Sequence, residues 1–567
     1  MFTDARAVAT GSRVAVDICV IGAGAAGITL GREFDGGSTR VALLESGGLE
    51  YEPETQALYG GEVSGLPYFP LDTPRLRFFG GTTNHWAGVC RPFDQVDFET
   101  IDWIPYSGWP VGRSEMDPYV VRAQEIVHLT SSSWDTQHWA ELDDAEPLPL
   151  EGGRVLTRVD QIVPPDQRRF AAVYGDELRS SDNVTVFLHA NVTEIGLDAS
   201  GSTVTELSVA TLSGNRFAVV PRVVVLAVGG IDNPRLLLAS RSRFPNGIGN
   251  AHDLVGRFFL EHPRFLAGVL APSDPNLSIS FYREHAVEGT IIHPRLALSR
   301  ETQADERISD VQVRLDPLLA PAWEQAIGSP DIATLKALRS ALRGDGSGNI
   351  GRDLASVLSD LMTWHEMTVP GAPFPIPYPE VVGELLRSTP ADRQALIPGL
   401  LGDVAAYLYA EIAEGIPLDG ILLTARLDPV PNPDSRVRLI DQQDELGVPM
   451  TDLDWRLSPA DRHSVGRTME ILGAEFGAAG LGRLKLVFDE DAEEWPADLA
   501  GGFHLMGTTR MHGDPRRGVV DRNLRVHGVS NLYIAGSSVF PTAGSGNPTM
   551  MIVALALRLA ERLRGTS

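Results

Sequence analysis

The first 45 residues alternate between short apolar runs and polar or glycine-rich breaks. Residues 14–21, VAVDICVI, form a run apolar enough for a buried strand, and glycines follow it at once. AAGITLGREF, residues 25–34, then has a helical pattern, and residues 41–44 form a second apolar run of strand length. The pattern therefore predicts strand, tight turn, helix and parallel strand, the unit that opens a doubly wound domain.

Later segments predict a mixture of strands and helices. Residues 204–220 alternate like antiparallel strands, and 222–228, RVVVLAV, are continuously apolar like a fully buried strand. GGIDNPRLLLAS then starts a helix, and between about 317 and 420 short amphipathic helices are separated by Pro and Gly, for which we expect a helical cap over the site. The chain closes on a buried strand in NLYIAGSSVFP and the apolar helix TMMIVALALRLAERL.

Size and charge narrow the class of protein. A chain of 567 residues exceeds the length of one hydrophobic core, so we expect two lobes that can enclose a large cofactor. The 48 basic residues against 74 acidic ones give a net charge of -26, which disfavours nucleic acid and anionic membranes as partners. Neutral substrates fit this field best, although a local basic pocket can override it.

Cysteine and histidine usage excludes several kinds of site. With only Cys19 and Cys90, neither a disulfide framework nor a cysteine zinc site is predicted, and a reducing compartment suits the chain. The N-terminal residues lack a signal-peptide core, and no apolar run approaches 18 residues, so we expect a cytoplasmic protein that spans no membrane. Histidines and carboxylates are not spaced as ligands, so no metal is predicted.

The turn GAGAAG after the first strand carries the first chemical signal. Gly22 permits a tight turn, Gly24 lets backbone N–H groups approach a pyrophosphate, and Gly27 lets the helix pack close to the strand. Glu45 ends the second strand, where its carboxylate can accept hydrogen bonds from both ribose hydroxyls of an adenosine and would repel a 2′-phosphate. The turn therefore predicts an ADP-containing dinucleotide other than NADP, without separating FAD from NAD.

Five stretches along almost the whole chain resemble the glucose-methanol-choline (GMC) oxidoreductase family. They are RLRFFGGTTNHWAGVCRPFD at 75–94, LAVGGIDNPRLLLAS, DLVGRFFLEHP up to Pro263, DPVPNPDSRVRLIDQQDELGVPMTDLDW at 428–455, and FHLMGTTRM followed by VVDRNLRVHGVSNLYIAGSSVFPTAGSGNPT. They resemble, in order, the flavin-covering motif, the second signature, the segment after it, the floor of the substrate domain and the C-terminal catalytic segment.

The resemblance implies an α/β fold. It has a Rossmann-like doubly wound FAD-binding domain and a second α+β substrate domain with an antiparallel sheet and helices, as in GMC oxidoreductases and p-hydroxybenzoate hydroxylase. We assign the FAD-binding domain to 14–104, 181–262 and 499–567, and the substrate domain to 105–180 and 263–498.

The resemblance also implies hydride transfer from an alcohol carbon to flavin N5. His504 occupies the position of the family's base, and Asn547 that of its partner, where other members carry a second His. An imidazole with an unperturbed pKa near 6.5 is suited to take the hydroxyl proton, and the Asn amide can donate to the developing negative charge. Pro548 is expected at the first helical position, so that the helix would present its positive end to the flavin N1 and C2 carbonyl region.

The cofactor-binding residues carried over from the family lie in several segments. They are Gly22, Gly24, Ala25, Ala26, Gly27, Glu45, Ser46, Gly80, Gly81, Thr82, Thr83, Asn84, His85, Trp86, Ala87, Gly88, Val192, Ala227, Gly229, Gly536, Ser537, Asn547, Pro548 and Thr549. His85 resembles the position at which some pyranose and choline oxidases attach the flavin. A covalent FAD and a histidine that merely packs on the ring are both left open.

The remaining candidates are interpreted as structural. We expect His252, His262, His512 and His527 to be surface or satisfied core residues, with His512 and its neighbour Arg510 the likeliest exceptions. The acidic runs, at Asp97, Glu99 and Asp102 and again at 489–494, are interpreted as solvated faces.

The substrate is the least determined feature. GGTTNHW, GNPT and Asn547 resemble most the pyranose-oxidase-like and fructose-dehydrogenase-like branches, which indicates an alcohol group of a sugar, glycoside or polyol. A secondary-metabolite or sterol hydroxyl is the alternative within the family, and a flavin-dependent lyase with structural FAD is the alternative of another class. The acceptor stays open between O2, a quinone and a redox protein, as does the oligomeric state.

Overall fold

The computed structural model describes residues 1–150, 152–319 and 418–565. The helical cap predicted at 317–420 therefore lies almost entirely outside the described residues. Its two ends, at 317–319 and 418–420, are strands rather than helices, because they continue β14 and β15 of one sheet (bounds below).

Helices and strands alternate along the described chain. The α-helices are α1 (Ala25–Phe34), α2 (Pro53–Gln56), α3 (Arg113–Ile126), α4 (Thr136–Leu142), α5 (Phe170–Ser180), α6 (Gly229–Ala239), α7 (Arg300–Glu306), α8 (Pro459–Ala478) and α9 (Thr549–Arg564). The strands are β1 (Phe2–Asp4), β2 (Arg13–Ile21), β3 (Val41–Leu44), β4 (Gly61–Val63), β5 (Val89–Cys90), β6 (Val155–Ile162), β7 (Val184–Leu188), β8 (Asn191–Leu197), β9 (Val204–Ala210), β10 (Arg216–Leu226), β11 (Arg264–Pro272), β12 (His285–Val287), β13 (Thr290–Leu298), β14 (Val311–Leu319), β15 (Leu418–Leu427), β16 (Arg436–Gln443), β17 (Pro449–Asp454), β18 (Gly482–Leu486) and β19 (Leu532–Ile534).

A largely parallel sheet carries the predicted nucleotide turn. Its order is β1-β7-β3-β2-β10-β9-β8, with β19 also paired to β10. Strands β1, β7, β3, β2, β10 and β19 run parallel, and only β8 and β9 pair antiparallel. The predicted bounds of the first helix and second strand are confirmed, and β2 begins one residue earlier than expected. The edge strand β1 was not predicted from the sequence.

Strand β10 differs from the expected pair of strands. It runs unbroken from Arg216 to Leu226 and pairs with parallel β2 from Ala218 onward, while its other edge pairs first with antiparallel β9 and then with parallel β19. Pro221 does not interrupt it, although a central proline removes one donor from a sheet. Buried side chains alternate with more exposed ones in its first half, whereas the residues at 224–226 are all buried, which explains the two sequence patterns.

A second, antiparallel sheet forms the other lobe. Its order is β18-β11-β15-β14-β13-β6-β5, with β12 paired to β13. One face packs its apolar positions, such as Val313, Leu315 and Leu423, into a separate core, over which α8 packs. The opposite face carries charged side chains at the alternate positions of β13, β14 and β15. This arrangement bears out the predicted α/β fold with an antiparallel second sheet.

A small sheet of order β16-β17-β4 connects the two lobes. β4 follows the nucleotide-binding segments in the chain, whereas β16 and β17 follow the antiparallel sheet. Among the described helices, none is both long enough and apolar enough to cross a bilayer.

Candidate active site

The glycine turn has the backbone geometry that its sequence predicts. Gly22 has a φ of +101°, and a Cβ there would lie 2.6 Å from the carbonyl oxygen of Ala227. At Gly27 a Cβ would lie 1.8 Å from the carbonyl oxygen of Gly22, so helix and strand approach as closely as backbone allows. A Cβ on Gly24 would meet nothing within 4 Å, and no side chain caps the N-terminus of α1 there. The first turn of α1 is therefore free to donate N–H groups to an anion.

Glu45 lies buried beneath this turn. One of its carboxylate oxygens accepts a hydrogen bond from the Ala23 N–H at 3.0 Å, and the other accepts from the Gly47 N–H at 3.0 Å. Burial raises the pKa of this carboxyl, and the two N–H donors oppose that shift. Glu45 thus stabilises the turn, and it lies at the end of the strand where a ribose would bind.

A cleft of about 580 Å³, partly open to solvent, lies beside Glu45. Three predicted cofactor residues line it, namely Gly22, Ser46 and Val192. Other polar residues that line this cleft were not predicted from the sequence. They include Tyr59, Arg77, Asn191, Asp232 and Arg235. The open N-terminus of α1, the Cβ-free approach at Gly24 and this adjoining cleft fit the pyrophosphate and adenosine of an FAD.

The predicted flavin-covering segment lies across the same turn. The Gly80 N–H donates to the Ala23 carbonyl at 2.9 Å, and a Cβ on Gly81 would lie 3.0 Å from the Cα of Gly24. Gly81–Asn84 forms a 3₁₀ turn that includes Thr82 and Thr83. Further along, the Trp86 indole donates to the Arg168 carbonyl at 2.8 Å, and Gly88 packs on the same arginine. The segment therefore bridges the nucleotide turn and the second lobe.

The other carried-over residues surround the turn from two sides. Ala227 ends β10 with its N–H bonded to the Ile21 carbonyl at 2.8 Å, and Gly229 opens α6 with a φ of +83°. Gly536 has a φ of +111°, and the Ser537 hydroxyl donates to the Leu505 carbonyl at 2.7 Å. Ser537 therefore ties the segment after β19 to the loop that carries His504.

His85 lies between the covering segment and the catalytic loop. Its ring is parallel to that of Phe503 with centroids 6.3 Å apart, and it donates to the Pro74 carbonyl. His85 is exposed on one side yet surrounded by protein on its other sides, and this desolvation lowers its pKa to about 4. His85 is therefore neutral near pH 7, with one ring nitrogen engaged.

His504 contacts a second histidine that the sequence analysis interpreted as structural. Nδ1 of His504 lies 2.7 Å from Nδ1 of His262, and Nε2 of His262 lies 2.9 Å from the Gly544 carbonyl oxygen. Because a carbonyl only accepts, Nε2 of His262 carries the proton and its Nδ1 presents a lone pair. His504 must then donate from Nδ1, which leaves a lone pair on its Nε2. His262 is a buried residue with both ring nitrogens bonded, as expected from the sequence, and its partner is the imidazole of His504.

A buried carboxylate holds the loop in front of this pair. Glu261 accepts the backbone N–H of His504 at 2.9 Å and that of His262 at 2.8 Å, as well as the hydroxyl of Tyr68. Glu261 is fully buried, and burial raises its pKa while these donors oppose the shift. The sequence displayed Glu261 and His262 in the EHP triplet, but nothing in the chain pattern showed that they meet His504.

The electrostatic setting of His504 differs from the expectation of an unperturbed pKa. Burial lowers its pKa well below 6.5, and the neighbouring charges of His262, Arg426 and Arg264 lower it further. Burial also lowers the pKa of His262 to about 3. Both imidazoles are therefore neutral near pH 7, which is the protonation state that a proton acceptor requires.

Asn547 is oriented by an arginine that the sequence did not indicate. Nη1 of Arg426 donates to Oδ1 of Asn547, and Nη2 donates to the Gln312 side-chain oxygen at 2.6 Å and the Ser545 carbonyl at 2.8 Å. Because a guanidinium can only donate, the Asn547 oxygen must face it. The amide NH₂ group is thereby directed away from Arg426, where it can donate to a substrate oxygen.

Helix α9 begins one residue later than predicted. Pro548 is its N-cap, and Thr549 is its first residue. No side chain caps this end, so its first N–H groups and the positive end of its dipole lie directly behind Asn547.

Several other sequence interpretations can be compared with the structure. Arg510 is buried, donates to the Tyr106 carbonyl and lies over the Phe258 ring, while His512 accepts the Asp514 N–H, so both have structural contacts. Asp97 is not on a solvated face, because it is 8% exposed and accepts from the Ser545 hydroxyl at 2.9 Å. No cluster of metal-ligating side chains occurs among the residues that the structure describes.

The site brings together a neutral imidazole with a free Nε2, an amide NH₂ group and the N-terminus of α9. These groups can accept a proton from a hydroxyl, donate to its oxygen and stabilise negative charge beside them.

Comparison with known proteins gives this geometry a context. Residues 431–556 match the family model described as GMC oxidoreductase. Among curated proteins, the chain is 36% identical over 138 residues to paromamine 6'-oxidase of Streptomyces fradiae, covering 24% of each chain. It is 22% identical to 2-methyl-1,2-propanediol dehydrogenase of Mycolicibacterium austroafricanum, covering 96% of this chain and 94% of that one.

Two further similarities extend the comparison. The chain is 26% identical to the fructose dehydrogenase large subunit of Gluconobacter japonicus, over 61% of this chain and 47% of that one. The matches thus span about a quarter of the paromamine oxidase and about half of the fructose dehydrogenase subunit. A solved structure of formate oxidase shares the fold, with a TM-score of 0.51, 15% identity and coverage of 99% of both chains.

Proposed function

Because this chain is an oxidoreductase of the GMC family, whose members bind FAD, we propose that it oxidises an alcohol group of a sugar, glycoside or polyol to a ketone or aldehyde. His504 is the proposed base and Asn547 its partner. The observation that carries the proposal is the tautomer chain from Gly544 through His262 to His504, which leaves the Nε2 lone pair of His504 available.

The proposed chemistry divides between cofactor and protein. Bound FAD would supply the hydride acceptor. Nε2 of His504 would take the hydroxyl proton, and the Asn547 NH₂ group would donate to the same oxygen while its charge develops. Glu261 and His262 hold the imidazole in position, and Arg426 holds the amide. The N-terminus of α9 behind Asn547 favours negative charge on the cofactor.

A carbohydrate or polyol substrate is supported by relatives whose names state such substrates. The fructose dehydrogenase subunit and the 2-methyl-1,2-propanediol dehydrogenase are similar over 61% and 96% of this chain. The alternative within the family remains a secondary-metabolite or sterol hydroxyl. A flavin-dependent lyase is the alternative of another class, and it differs in leaving the flavin oxidised.

We further propose a covalent bond between a ring nitrogen of His85 and the FAD. The imidazole is neutral, one nitrogen is fixed by the Pro74 carbonyl, and the exposed residue stacks on Phe503 beside the catalytic loop. Acid precipitation tests this proposal, because flavin colour that stays wholly in the supernatant would leave His85 as a residue that only packs on the ring.

The remaining expectations are kept as proposals. The FAD-binding and substrate domains keep the sequence-based boundaries, and the carried-over residues keep their cofactor-binding role. The electron acceptor is O2, a quinone or a redox protein. Two buried free thiols support a cytoplasmic location.

Anaerobic bleaching of the flavin tests the proposed function. Purified holoenzyme is mixed with a panel of sugars, glycosides, polyols, sterols and simple alcohols, and absorbance near 450 nm is followed. The proposal expects bleaching by at least one sugar, glycoside or polyol. An oxidised spectrum throughout would reject alcohol oxidation, and bleaching by sterols alone would move the function to the family alternative.

A further inference from the structure

The charged face of the antiparallel sheet carries three arginines close to the candidate catalytic pair. Arg295 on β13, Arg314 on β14 and Arg426 on β15 are called the arginine cluster below. In the strand register Leu296 pairs with Val313, so Arg295 and Arg314 occupy the next positions along the two strands. Arg314 pairs with Thr424, two residues from Arg426 on the same face of β15. The arginine cluster thus spans three adjacent strands.

Two of the three members of the arginine cluster form ion pairs with carboxylates. Arg295 forms an ion pair with Asp160 at 3.0 Å, and Arg314 forms one with Asp316 at 2.8 Å. Arg426 donates only to the neutral groups of Asn547, Gln312 and Ser545, and no carboxylate within the described ranges lies within ion-pair distance of it. Within the arginine cluster, Arg426 is therefore the guanidinium without a directly paired carboxylate among the described residues.

This arrangement lowers stability unless something else compensates it. Like charges on adjacent strands repel, and a partly buried cation without a counter-ion has a desolvation cost. Both effects are visible in Arg426, whose pKa falls to about 10 because of burial and the charge of Arg295. Such locally unfavourable electrostatics are expected at functional sites. A ligand with a negative charge would compensate the arginine cluster.

The arginine cluster is also accessible and close to the reacting groups. The Arg314 side chain is 26% exposed and uses its Nε for Asp316, and its terminal nitrogens make no hydrogen bond to any described residue. Arg426 contacts Asn547 directly, and the charges of Arg426 and Arg295 both reach the imidazole of His504. One substrate molecule would therefore hold its alcohol group between His504 and Asn547 and an anionic group at the arginine cluster.

We propose that the arginine cluster binds a carboxylate of the alcohol substrate, so that the preferred substrates are hydroxylated acids such as sugar acids. This inference rests on the proposed function and narrows its substrate class. It also reverses the expectation of neutral substrates from the net charge of -26, because the local charge at the site is positive.

A carboxylate fits the arginine cluster better than a phosphate does. The single charge of the Arg426 guanidinium is matched by a monoanion, whereas a phosphate monoester near pH 7 carries close to two negative charges. Arginine also presents paired N–H donors that match the two oxygens of a carboxylate. An amino sugar, in contrast, would place a cation against an uncompensated guanidinium, so cationic alcohols are disfavoured.

The test compares matched substrates on the holoenzyme. For each alcohol skeleton that bleaches the flavin, the neutral compound, its carboxylate analogue and its amine analogue are compared, beginning with methyl β-glucoside, methyl β-glucuronide and methyl glucosaminide. We expect kcat/KM for the acid to exceed that for the neutral compound by roughly 10- to 100-fold, the range of a charge-assisted hydrogen bond. The gain should appear mainly in KM and should shrink with added salt, whereas the amine should be the poorest of the three.

Arg314→Gln separates substrate binding from a general electrostatic role. We expect it to reduce the acid-to-neutral ratio of kcat/KM to about one. Arg438→Gln is the control, because Arg438 is also a strand arginine in ion pairs with aspartates, Asp452 at 2.9 Å and Asp454 at 3.5 Å, but lies in the small sheet. It should leave the ratio unchanged. If a protein fails to fold, Arg314→Lys gives the same comparison through loss of the paired donors.

Three results would reject the inference in distinguishable ways. If neutral alcohols are oxidised as well as their acids, the arginine cluster does not bind a carboxylate, and the proposed function stands. If Arg314→Gln slows acid and neutral substrates equally, the charge acts on the reaction and not on a substrate acid. If no alcohol, charged or neutral, bleaches the flavin, the proposed function fails and this inference fails with it.

Discussion

The nucleotide turn and the catalytic cluster are built on opposite principles. The turn lies within six consecutive residues, Gly22 to Gly27, and works through backbone atoms whose close approach excludes a Cβ at Gly22 and Gly27. The catalytic cluster joins side chains from four distant segments, at Glu261 and His262, at Arg426, at His504 and at Asn547. Local stereochemistry determines the conformation of the turn. The arrangement of the catalytic cluster is determined by the direction of the hydrogen bonds between its side chains.

This difference predicts two kinds of failure. A Cβ added at Gly22 or Gly27 should prevent the FAD-binding domain from forming, because the backbone atoms that it would meet cannot move away. A change in the cluster should leave a folded flavoprotein that reacts slowly. The predictions below test that distinction, beginning with the largest expected effect.

Gly27→Ala should abolish the folded FAD-loaded enzyme. The added Cβ would lie 1.8 Å from the Gly22 carbonyl oxygen, so strand and helix must separate. A loss above about 4 kcal/mol is expected, which few domains tolerate. Thermal unfolding and the flavin-to-protein absorbance ratio measure it.

Two matched glycines serve as controls for Gly27. Gly24→Ala should fold but bind FAD more weakly, because its Cβ meets no protein atom within 4 Å and would occupy the proposed pyrophosphate side. Gly477→Ala, in the last turn of α8 and with no atom within 4 Å of the added Cβ, should be neutral or stabilise by up to about 1 kcal/mol. Equal stability of all three variants would show that the close backbone approach at Gly27 does not determine whether the turn forms.

His262→Phe should slow flavin reduction by roughly 10- to 100-fold while FAD stays bound, as loss of a positioning hydrogen bond implies. Without the His262 acceptor, Nδ1–H of His504 is unsatisfied and its tautomer is no longer fixed. His262 is itself neutral near pH 7, so its loss removes a hydrogen-bond acceptor and not a charge. The reduction rate should therefore fall at every pH tested between 5 and 9.

His262→Gln is the conservative comparison, since its amide oxygen can still accept from His504. It should recover part of the rate that His262→Phe loses. A reduction rate equal to wild type in both variants would show that His262 is only a packing residue.

Arg426→Gln should lower the reduction rate by about tenfold, because Asn547 loses the donor that orients its amide. Arg426→Lys should recover the charge but not the paired contacts to Asn547 and Gln312. In Arg426→Gln the acid limb of the reduction rate should move to higher pH, because the charge of Arg426 lowers the pKa of His504. Stopped-flow reduction between pH 5 and 9 measures both effects, and a pH profile equal to wild type would contradict them.

Asp97→Asn should have the smallest effect, on stability and not on the chemical step. Burial, with the charges of Asp94 and Asp310, raises the pKa of Asp97 to about 7. The folded state therefore holds a proton that the unfolded state has lost, so stability falls as pH rises from about 4 to 7 and stays lower above it.

Because asparagine removes this penalty, the variant should be about 1–3 kcal/mol more stable than wild type at pH 8, in the range of ordinary point substitutions. The two proteins should converge near pH 4. Urea unfolding at both pH values decides the sign, and greater wild-type stability at pH 8 would contradict the raised pKa.

The same comparison explains what the sequence could predict. The turn, α1 and β3 were predicted nearly to the residue because periodicity and glycine spacing act over a few residues. His504 and Asn547 were identified only through the resemblance of the C-terminal segment. His262, Glu261 and Arg426 were missed because their roles depend on contacts across more than a hundred residues, which no local pattern records.

Two other sequence-based expectations differ from the structure because they, too, ignore contacts between distant residues. Asp97 was interpreted as solvated because acidic runs are usually exposed, but the fold places the Ser545 hydroxyl against it. The unperturbed pKa expected for His504 ignored its burial and the arginines on β11 and β15, which only the sheet brings near. Electrostatics at this site is a property of the tertiary structure.

The central claim is that His504 accepts the alcohol proton. Its most direct test is anaerobic single-turnover reduction of wild type and His504→Gln by the best alcohol of the panel, with unfolding temperature and flavin content measured alongside. We predict equal folding and flavin content with reduction roughly 10²- to 10⁴-fold slower in the variant, the range of general base catalysis. Reduction within a few-fold of wild type would show that another group takes the proton and would contradict the account.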